Sequence, residues 1–199
     1  MRALACILLV HNSIPETEPE NLNKTIQSRE RRRQPLSKTE TNLKEAFAGE
    51  SQANRKYLAF AEKADKEGYP QAAKLFRAAA AAETVHAHAH LRALEGIGST
   101  VENLKEAIGG ETFEFESMYP PMIEAAEAEN HSAAVRSFRF ANEVEKVHAE
   151  LYQKALDTLE NADDVDYYVC SVCGHTVEGG APDTCPICGS KAKAFNKVD

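Results

Sequence analysis

Tryptophan is absent from this 199-residue chain, and aromatic residues make up only 7% of it. Plentiful Ala, Glu and Lys agree with a mainly α body. Long apolar runs are missing too: no stretch reaches the length that spans a bilayer, so no membrane partner is expected. The apolar run from Ala3 to Val10 behind Arg2 faintly resembles a signal peptide, but His11-Asn12-Ser13-Ile14-Pro15 offers no small-x-small cleavage site. A cytoplasmic protein with an extended N-terminus is the expectation. Basic residues are in the minority, 23 Lys and Arg against 31 Asp and Glu, and the net charge of −8 argues against nucleic acid as a partner. Cysteine is scarce and clustered. Of five, four form two C-x-x-C pairs near the C-terminus, which reads as a metal site rather than a disulfide framework. Cys6, the odd one, is given no role.

What is present divides into three parts. Residues 1–36 show no sustained period, contain Pro15, Pro19 and Pro35 and the basic run Arg29-Glu30-Arg31-Arg32-Arg33, and read as a mobile leader. Residues 37–162 read as four helices. The first should begin near Ser37 or Thr39, with Thr39, Thr41 or Asn42 as N-cap, and carry Leu43, Phe47, Ala48, Leu58 and Ala61 on one stripe as far as Lys66. After the breaker Gly68-Tyr69-Pro70, the second runs from about Gln71 to Glu95 through Leu75, Phe76, Ala79, Val85, Leu91 and Leu94. Gly96 to Ser99 end it. The third opens with Thr100 as cap and Asn103 in place of the usual capping acid, should kink at Pro120-Pro121, and resumes to about Glu129. A fourth follows Asn130-His131-Ser132 and reaches about Asn161. Residues 163–199 hold a linker and then a cysteine module from Tyr167.

The helical part repeats itself. Ala82-Glu83-Thr84-Val85-His86-Ala87 is echoed by Val144-Glu145-Lys146-Val147-His148-Ala149, and Phe76-Arg77 by Phe138-Arg139 at the same distance upstream. Gly49-Glu50 matches Gly110-Glu111. The first two helices therefore resemble the last two, and a four-helix bundle with internal pseudo-symmetry follows. Residues three apart on a helix share a face, so each Glu-x-x-His pair can grip one metal ion. Glu50 precedes the first turn by about as many residues as Glu83 follows it, and the same holds for Glu111 and Glu145 about the second. Equal distance from a turn means equal height, so four Glu and two His meet at one level. One Glu from each of two helices and Glu-x-x-His from each of two others is the pattern of a carboxylate-bridged di-iron or di-manganese site. Several carboxylates could not share a core without cations to neutralise them. Glu114 shares the face of Glu111 and is a candidate seventh ligand; Glu116 is out of phase. Tyr57 and Tyr119 lie two turns along from Glu50 and Glu111, placed either to hydrogen-bond the ligand carboxylates or to act as ordinary core aromatics. His88 and His131 read as solvent-facing. His90 is read as near the site or at the surface.

Cys170-Ser171-Val172-Cys173-Gly174 and Cys185-Pro186-Ile187-Cys188-Gly189 are two knuckles, each offering two thiolates at one turn, with a Gly that permits positive φ. Together they make a tetrahedral S₄ site that fits zinc or iron. By itself the module suggests zinc. Beside a redox-active di-metal site, mononuclear iron makes better sense because it relays single electrons.

At this point the chain resembles the rubrerythrin family, a ferritin-like di-iron domain followed by a rubredoxin-like domain. The stretches that carry the resemblance are Ala46-Phe47-Ala48-Gly49-Glu50-Ser51-Gln52-Ala53, Glu83-Thr84-Val85-His86, Gly110-Glu111-Thr112-Phe113-Glu114 with Met118-Tyr119-Pro120, Glu145-Lys146-Val147-His148, and both knuckles. They cover about Ser37 to Asp199. The resemblance implies a non-haem peroxidase that reduces hydrogen peroxide to water. Its electrons come from NAD(P)H through a separate reductase and enter at the Fe(Cys)₄ centre formed by Cys170, Cys173, Cys185 and Cys188. It also implies Glu50, Glu83, Glu111, Glu114, Glu145 and His148 as iron ligands, with His86 as a switching ligand that exchanges with Glu114. The catalytic set expected is Glu114, His86, Tyr57 and Tyr119.

The family bundle joins its second and third helices by a long crossover, whereas here only Gly96 to Ser99 separate them. Helices of this size are roughly 37 Å long, while such a linker reaches about 15–20 Å. Either the bundle is a simple up-and-down one, or two chains exchange hairpins. The exchanged homodimer is expected, with each di-iron site taking Glu50, Glu83 and His86 from one chain and Glu111, Glu114, Glu145 and His148 from the other. Two other functions compete: a ferroxidase or iron-handling protein on the same fold, and a non-enzymatic interaction module stabilised by zinc.

Overall fold

The computed structural model of the chain describes residues 37–161 and 163–198. The N-terminal leader and Cys6 lie outside the described residues. Two compact units divide between Leu94 and Glu95.

The first unit is a helical hairpin, α1 (Lys38–Lys66) and α2 (Pro70–Ala93). Ser37, not a threonine further on, caps α1. Its hydroxyl accepts from the Glu40 N–H at 3.1 Å, and the Glu40 carboxylate accepts from the Ser37 N–H at 2.7 Å, a reciprocal capping box. Among the candidate N-caps, Ser37 is the one whose acid, Glu40, returns the bond to the cap N–H. At the other end Gly68 adopts φ 83°, and Tyr69 N–H reaches back to the Ala64 carbonyl at 2.8 Å. This left-handed closure satisfies the last carbonyls of the helix and turns the chain.

The second unit opens with α3 (Thr100–Phe113), followed by a π-helical segment (Glu114–Met118), α4 (Tyr119–Ala128) and α5 (Ser132–Asp157). Ser99 caps α3 and Glu102 is the capping acid, so the expected Thr100 and Asn103 are each one residue off. Asn103 instead holds Gly98 through both its amide nitrogen and its oxygen. The expected proline kink is absorbed differently. Five residues in π geometry end where Tyr119 N–H bonds the Glu114 carbonyl, and α4 restarts with Pro120 and Pro121 in its first turn. There a missing N–H costs nothing. The helical run ends at Asp157, short of the expected Asn161. His131, read as merely solvent-facing, caps α5 by accepting from the Ala134 N–H.

The repeat seen in the sequence is a repeat in structure. Asn130 takes φ 59° where Gly68 takes 83°, and His131 N–H reaches the Ala126 carbonyl as Tyr69 does Ala64. Asn tolerates the left-handed region through its short polar side chain. Arg77 and Arg139 each clasp an acid 12 residues earlier, Asp65 and Glu127, across their own turns.

Each hairpin buries mostly alanine: Ala61, Ala64, Ala73, Ala80 and Ala87 in the first, Ala126 beside Val144 in the second. Tyr57, Phe60 and Phe76 stack at centroid distances of 5.6–6.3 Å beside the first cluster. Leu75 and Val85, apolar positions of the second helix, are 69% and 62% exposed, since one partner helix covers only one stripe.

The second unit ends in a three-stranded antiparallel sheet of order β2-β1-β3, formed by β1 (Tyr167–Cys170), β2 (Thr176–Glu178) and β3 (Phe195–Val198). Its small core is Cys170, Cys185 and Phe195, with Tyr168, Val177 and Ile187 against it. The module lies on α5. Lys154 pairs with Glu178 of β2, and Gly174 faces Val144. A mainly α body with a small metal-knuckle module is thus what the sequence led one to expect.

Candidate metal centres

In the first unit, Glu50 of α1 and Glu83 and His86 of α2 bring one ligand atom each within 4.8 Å of one another. His86 Nδ1 stands 2.8 Å from Glu83 Oε2 and 4.0 Å from Glu50 Oε1. The register that makes this possible is set by Asn54, one turn from Glu50. It is buried, and its amide nitrogen donates to the Ala80 carbonyl at 2.7 Å and to Thr84 Oγ1 at 2.8 Å. A buried amide with both hydrogens placed fixes how far α1 can slide along α2.

The second unit repeats the arrangement. Glu111 of α3 joins Glu145 and His148 of α5, and again the three ligand atoms lie within 4.8 Å. His148 Nδ1 is 2.8 Å from Glu145 Oε2 and 3.8 Å from Glu111 Oε1. Burial raises the Glu111 pKa above the usual carboxylate range, and the Glu145 carboxylate beside it raises it further. Glu114 is outside the three-residue group, but burial and the charge of Glu111 raise its pKa as well. Tyr119 packs on Phe138, and its hydroxyl pKa is raised by burial and by the charges of Glu114, Glu145 and Glu111. Tyr57 packs among Phe60 and Phe76, as a core aromatic would. Glu116 is exposed, as its phase requires.

The two half-sites differ in freedom. The His86 side chain is 55% exposed, whereas that of His148 is 26% exposed and engaged at both ring nitrogens. Its Nε2 lies 3.0 Å from Thr176 Oγ1 of the cysteine module. Neither this contact nor Asn54 leaves a mark in the sequence pattern. Both join residues far apart along the chain, and neither residue type marks a ligand.

The donor sets fit metal. Clustered carboxylates with an imidazole nitrogen aimed between them lack only a cation. In the cysteine module the four sulfurs also lie within 4.8 Å of one another, unbonded. Cys170 Sγ is 3.7 Å from Cys188 Sγ, and Cys173 Sγ is 3.6 Å from Cys185 Sγ. A tetrahedron with metal–sulfur bonds of about 2.3 Å has edges of about 3.8 Å. Gly174 and Gly189 take φ 85° and 75° after the knuckles, which a side chain would resist. Burial pushes the Cys173 thiol pKa up. Burial also acts on Cys188, but the hydroxyl and N–H of Ser190 and the neighbouring thiols outweigh it and bring that thiol down to about 6.

Comparison with known proteins agrees with this layout. Residues 41–156 match the family model described as rubrerythrin, and residues 168–196 match that of the rubrerythrin rubredoxin-like domain. Rubrerythrin-2 of Clostridium acetobutylicum is 37% identical over 170 residues, covering 77% of this chain and 92% of the relative. Nigerythrin of Nitratidesulfovibrio vulgaris is 36% identical over 167 residues, covering 77% of this chain and 83% of the relative. A solved structure of nigerythrin in its fully reduced, all-ferrous state is similar with a TM-score of 0.51 at 34% identity. The match covers 83% of this chain and 89% of that one.

Proposed function

The chain belongs to the rubrerythrin family, and from that premise we propose that it is a non-haem di-iron peroxidase that reduces hydrogen peroxide to water. The observation that carries this reading is the pairing of two matched Glu/Glu/His half-sites with a four-thiolate module on one chain. Iron storage has no use for a dedicated electron inlet, and a zinc-held interaction module has no use for the carboxylates.

Glu50, Glu83, Glu111, Glu114, Glu145, His86 and His148 would hold two irons, and Cys170, Cys173, Cys185 and Cys188 a third. When bound, the carboxylate irons supply two electrons and Lewis-acid stabilisation of the parting oxygens, and the thiolate iron is the inlet through which those electrons are replaced. Reducing one peroxide to two waters consumes two electrons and two protons. Glu114 suits the proton delivery in the state where His86 takes its place as ligand, since burial and the charge of Glu111 hold its carboxyl pKa up. Tyr119, whose hydroxyl also holds its proton firmly, is the second donor. Tyr57 is assigned a supporting role beside Glu50. His86, the freer of the two histidines, is the ligand that exchanges with Glu114, while His148 stays bound. The electrons originate in NAD(P)H and arrive through a separate reductase. A thiolate metal site fits a reducing compartment, and we place the protein in the cytoplasm.

Glu50, Glu83 and His86 give one half-site three donors, and Glu111, Glu114, Glu145 and His148 give the other four, too few in either for two metals. With α2 ending at Ala93 and α3 beginning at Thr100, the linker is too short to cross a bundle of this length. We therefore assign a homodimer with exchanged hairpins, in which the apolar faces bearing Leu75 and Val85 are covered.

Anaerobic reduction of the iron-loaded chain followed by rapid mixing tests the function. The colour of the ferric thiolate centre should return faster with hydrogen peroxide than with an equal concentration of dioxygen. Equal or slower return with peroxide would remove peroxidase as the function.

A further inference from the structure

We propose that Thr176 is a positioning residue for His148, holding the imidazole in the tautomer that leaves Nδ1 open to metal. The inference rests on His148 being an iron ligand, as proposed above. Thr176 Oγ1 has one proton, and it donates that proton to the Gly174 carbonyl at 3.1 Å. Toward His148 Nε2, at 3.0 Å, the same oxygen can therefore only accept. Nε2 carries the ring proton, and the neutral ring presents a bare Nδ1 lone pair to Glu145 at 2.8 Å and Glu111 at 3.8 Å. A lone pair aimed at two carboxylates is unfavourable until a cation lies between them. Thr176 thus readies the ring for the occupant the carboxylates require.

Thr176 is itself held firmly. It pairs with Val169 in the sheet, and Glu178, on the same face of β2, pairs with Lys154 of α5. Two contacts thereby fix the strand against the helix that carries Glu145 and His148. Gly174, which accepts the threonine proton, directly follows Cys173, so the link runs from one metal site's ligand to the other's. Among the described residues, His86 has no such partner at Nε2, its polar neighbours being Glu83 and Glu50 at Nδ1. The histidine that has a tether is the one assigned as fixed.

The test compares Thr176→Val, which keeps shape and strand preference but removes the hydroxyl, with Thr176→Ser, which keeps the hydroxyl. Loss of carboxylate-site iron to a chelator is followed in the full iron-loaded dimer. Thr176→Val should release that iron about 10–100-fold faster, with Thr176→Ser near the parent and the ferric thiolate absorption unchanged in both. In the full chain loaded with zinc, nitrogen-15 spectra should show a protonated, slowly exchanging His148 Nε2 in the parent and in Thr176→Ser, and fast exchange in Thr176→Val. Parent-like iron retention and Nε2–H protection in Thr176→Val would overturn the proposal. So would a Thr176→Ser variant as impaired as Thr176→Val, since strand packing rather than the hydroxyl would then matter. His148→Ala separates the two levels. If it retains both carboxylate irons, the ligand assignment itself fails. If it loses them while Thr176→Val does not, only the role of Thr176 fails.

Discussion

Replacing Cys185 by Ser should unfold the C-terminal module while leaving the helical hairpins standing. The module's core is Cys170, Cys185 and Phe195, and the two cysteines are each 1% exposed. Remove the metal and that core becomes buried thiols and Phe195 with a few half-buried side chains such as Tyr168, Val177 and Ile187, too little to order about thirty residues against their conformational entropy. Metal binding at such four-thiolate sites contributes on the order of 10 kcal/mol or more to folding. A hydroxyl cannot replace the lost thiolate, and it would sit unpaired at one of the two most enclosed described positions of the module. Hydrogen exchange would show protection of the β1, β2 and β3 amides lost, and the ferric thiolate absorption would vanish. Helix amides of α1, α2 and most of α5 should stay protected, because α1 and α2 pack on each other and α5 packs on α3 and α4. Retention of strand protection without metal would show that the module is held by the sheet and by α5 instead.

Glu145→Ala should abolish peroxide turnover without weakening the fold. Glu145 is the most enclosed carboxylate of its half-site, with a side chain 14% exposed, and it stands closest to His148. Its loss removes the carboxylate closest to His148, and iron should fall from about three per chain to about one, the thiolate iron alone. Metal catalysis is worth several kcal/mol, so the peroxide rate should drop by roughly 10³-fold or more. Stability moves the other way in the metal-free protein. The folded-state pKa of Glu111 is raised, first by burial and then by Glu145. A raised carboxyl contributes stability that is present below its unfolded pKa and lost as pH rises through its folded pKa. At neutral pH the ionised pair therefore opposes folding, and removing Glu145 relieves it. Thermal melts of metal-free parent and variant should show the variant at least as stable at neutral pH, with the advantage disappearing at acidic pH. A variant that loses both activity and stability would have been misread as a ligand change.

The two Glu/Glu/His groups and the cysteine cluster were legible in the sequence because metal chemistry restricts such groupings severely. Few residue types bind iron, helix spacing fixes Glu-x-x-His, and internal repetition supplied each half with a check from the other. The knuckles were legible for the same reason: two thiolates at one turn require a glycine in the left-handed region, and both glycines are there. Local choices between neighbours were less legible. Ser37 and Ser99 cap their helices through reciprocal bonds with Glu40 and Glu102, while the threonines nearby are equally acceptable caps by residue type. The π segment before Pro120 was not foreseen, since the chain can relieve a proline either by bending or by inserting a residue, and only packing decides. Contacts at long separation, Asn54 with Ala80 and Thr84 and His148 with Thr176, left no periodic trace at all. The faces bearing Leu75 and Val85 read as apolar helix positions, and one hairpin alone does not bury them.

That each chain carries two half-sites completed by a partner is tested most directly by measuring mass and iron on the same size-exclusion fraction of the loaded protein. Hairpin exchange predicts a dimer with about three irons per chain, one from the thiolate module and two from the carboxylates, and loss of the carboxylate irons alone in any fraction forced to monomer. A monomer that keeps the full complement would contradict it.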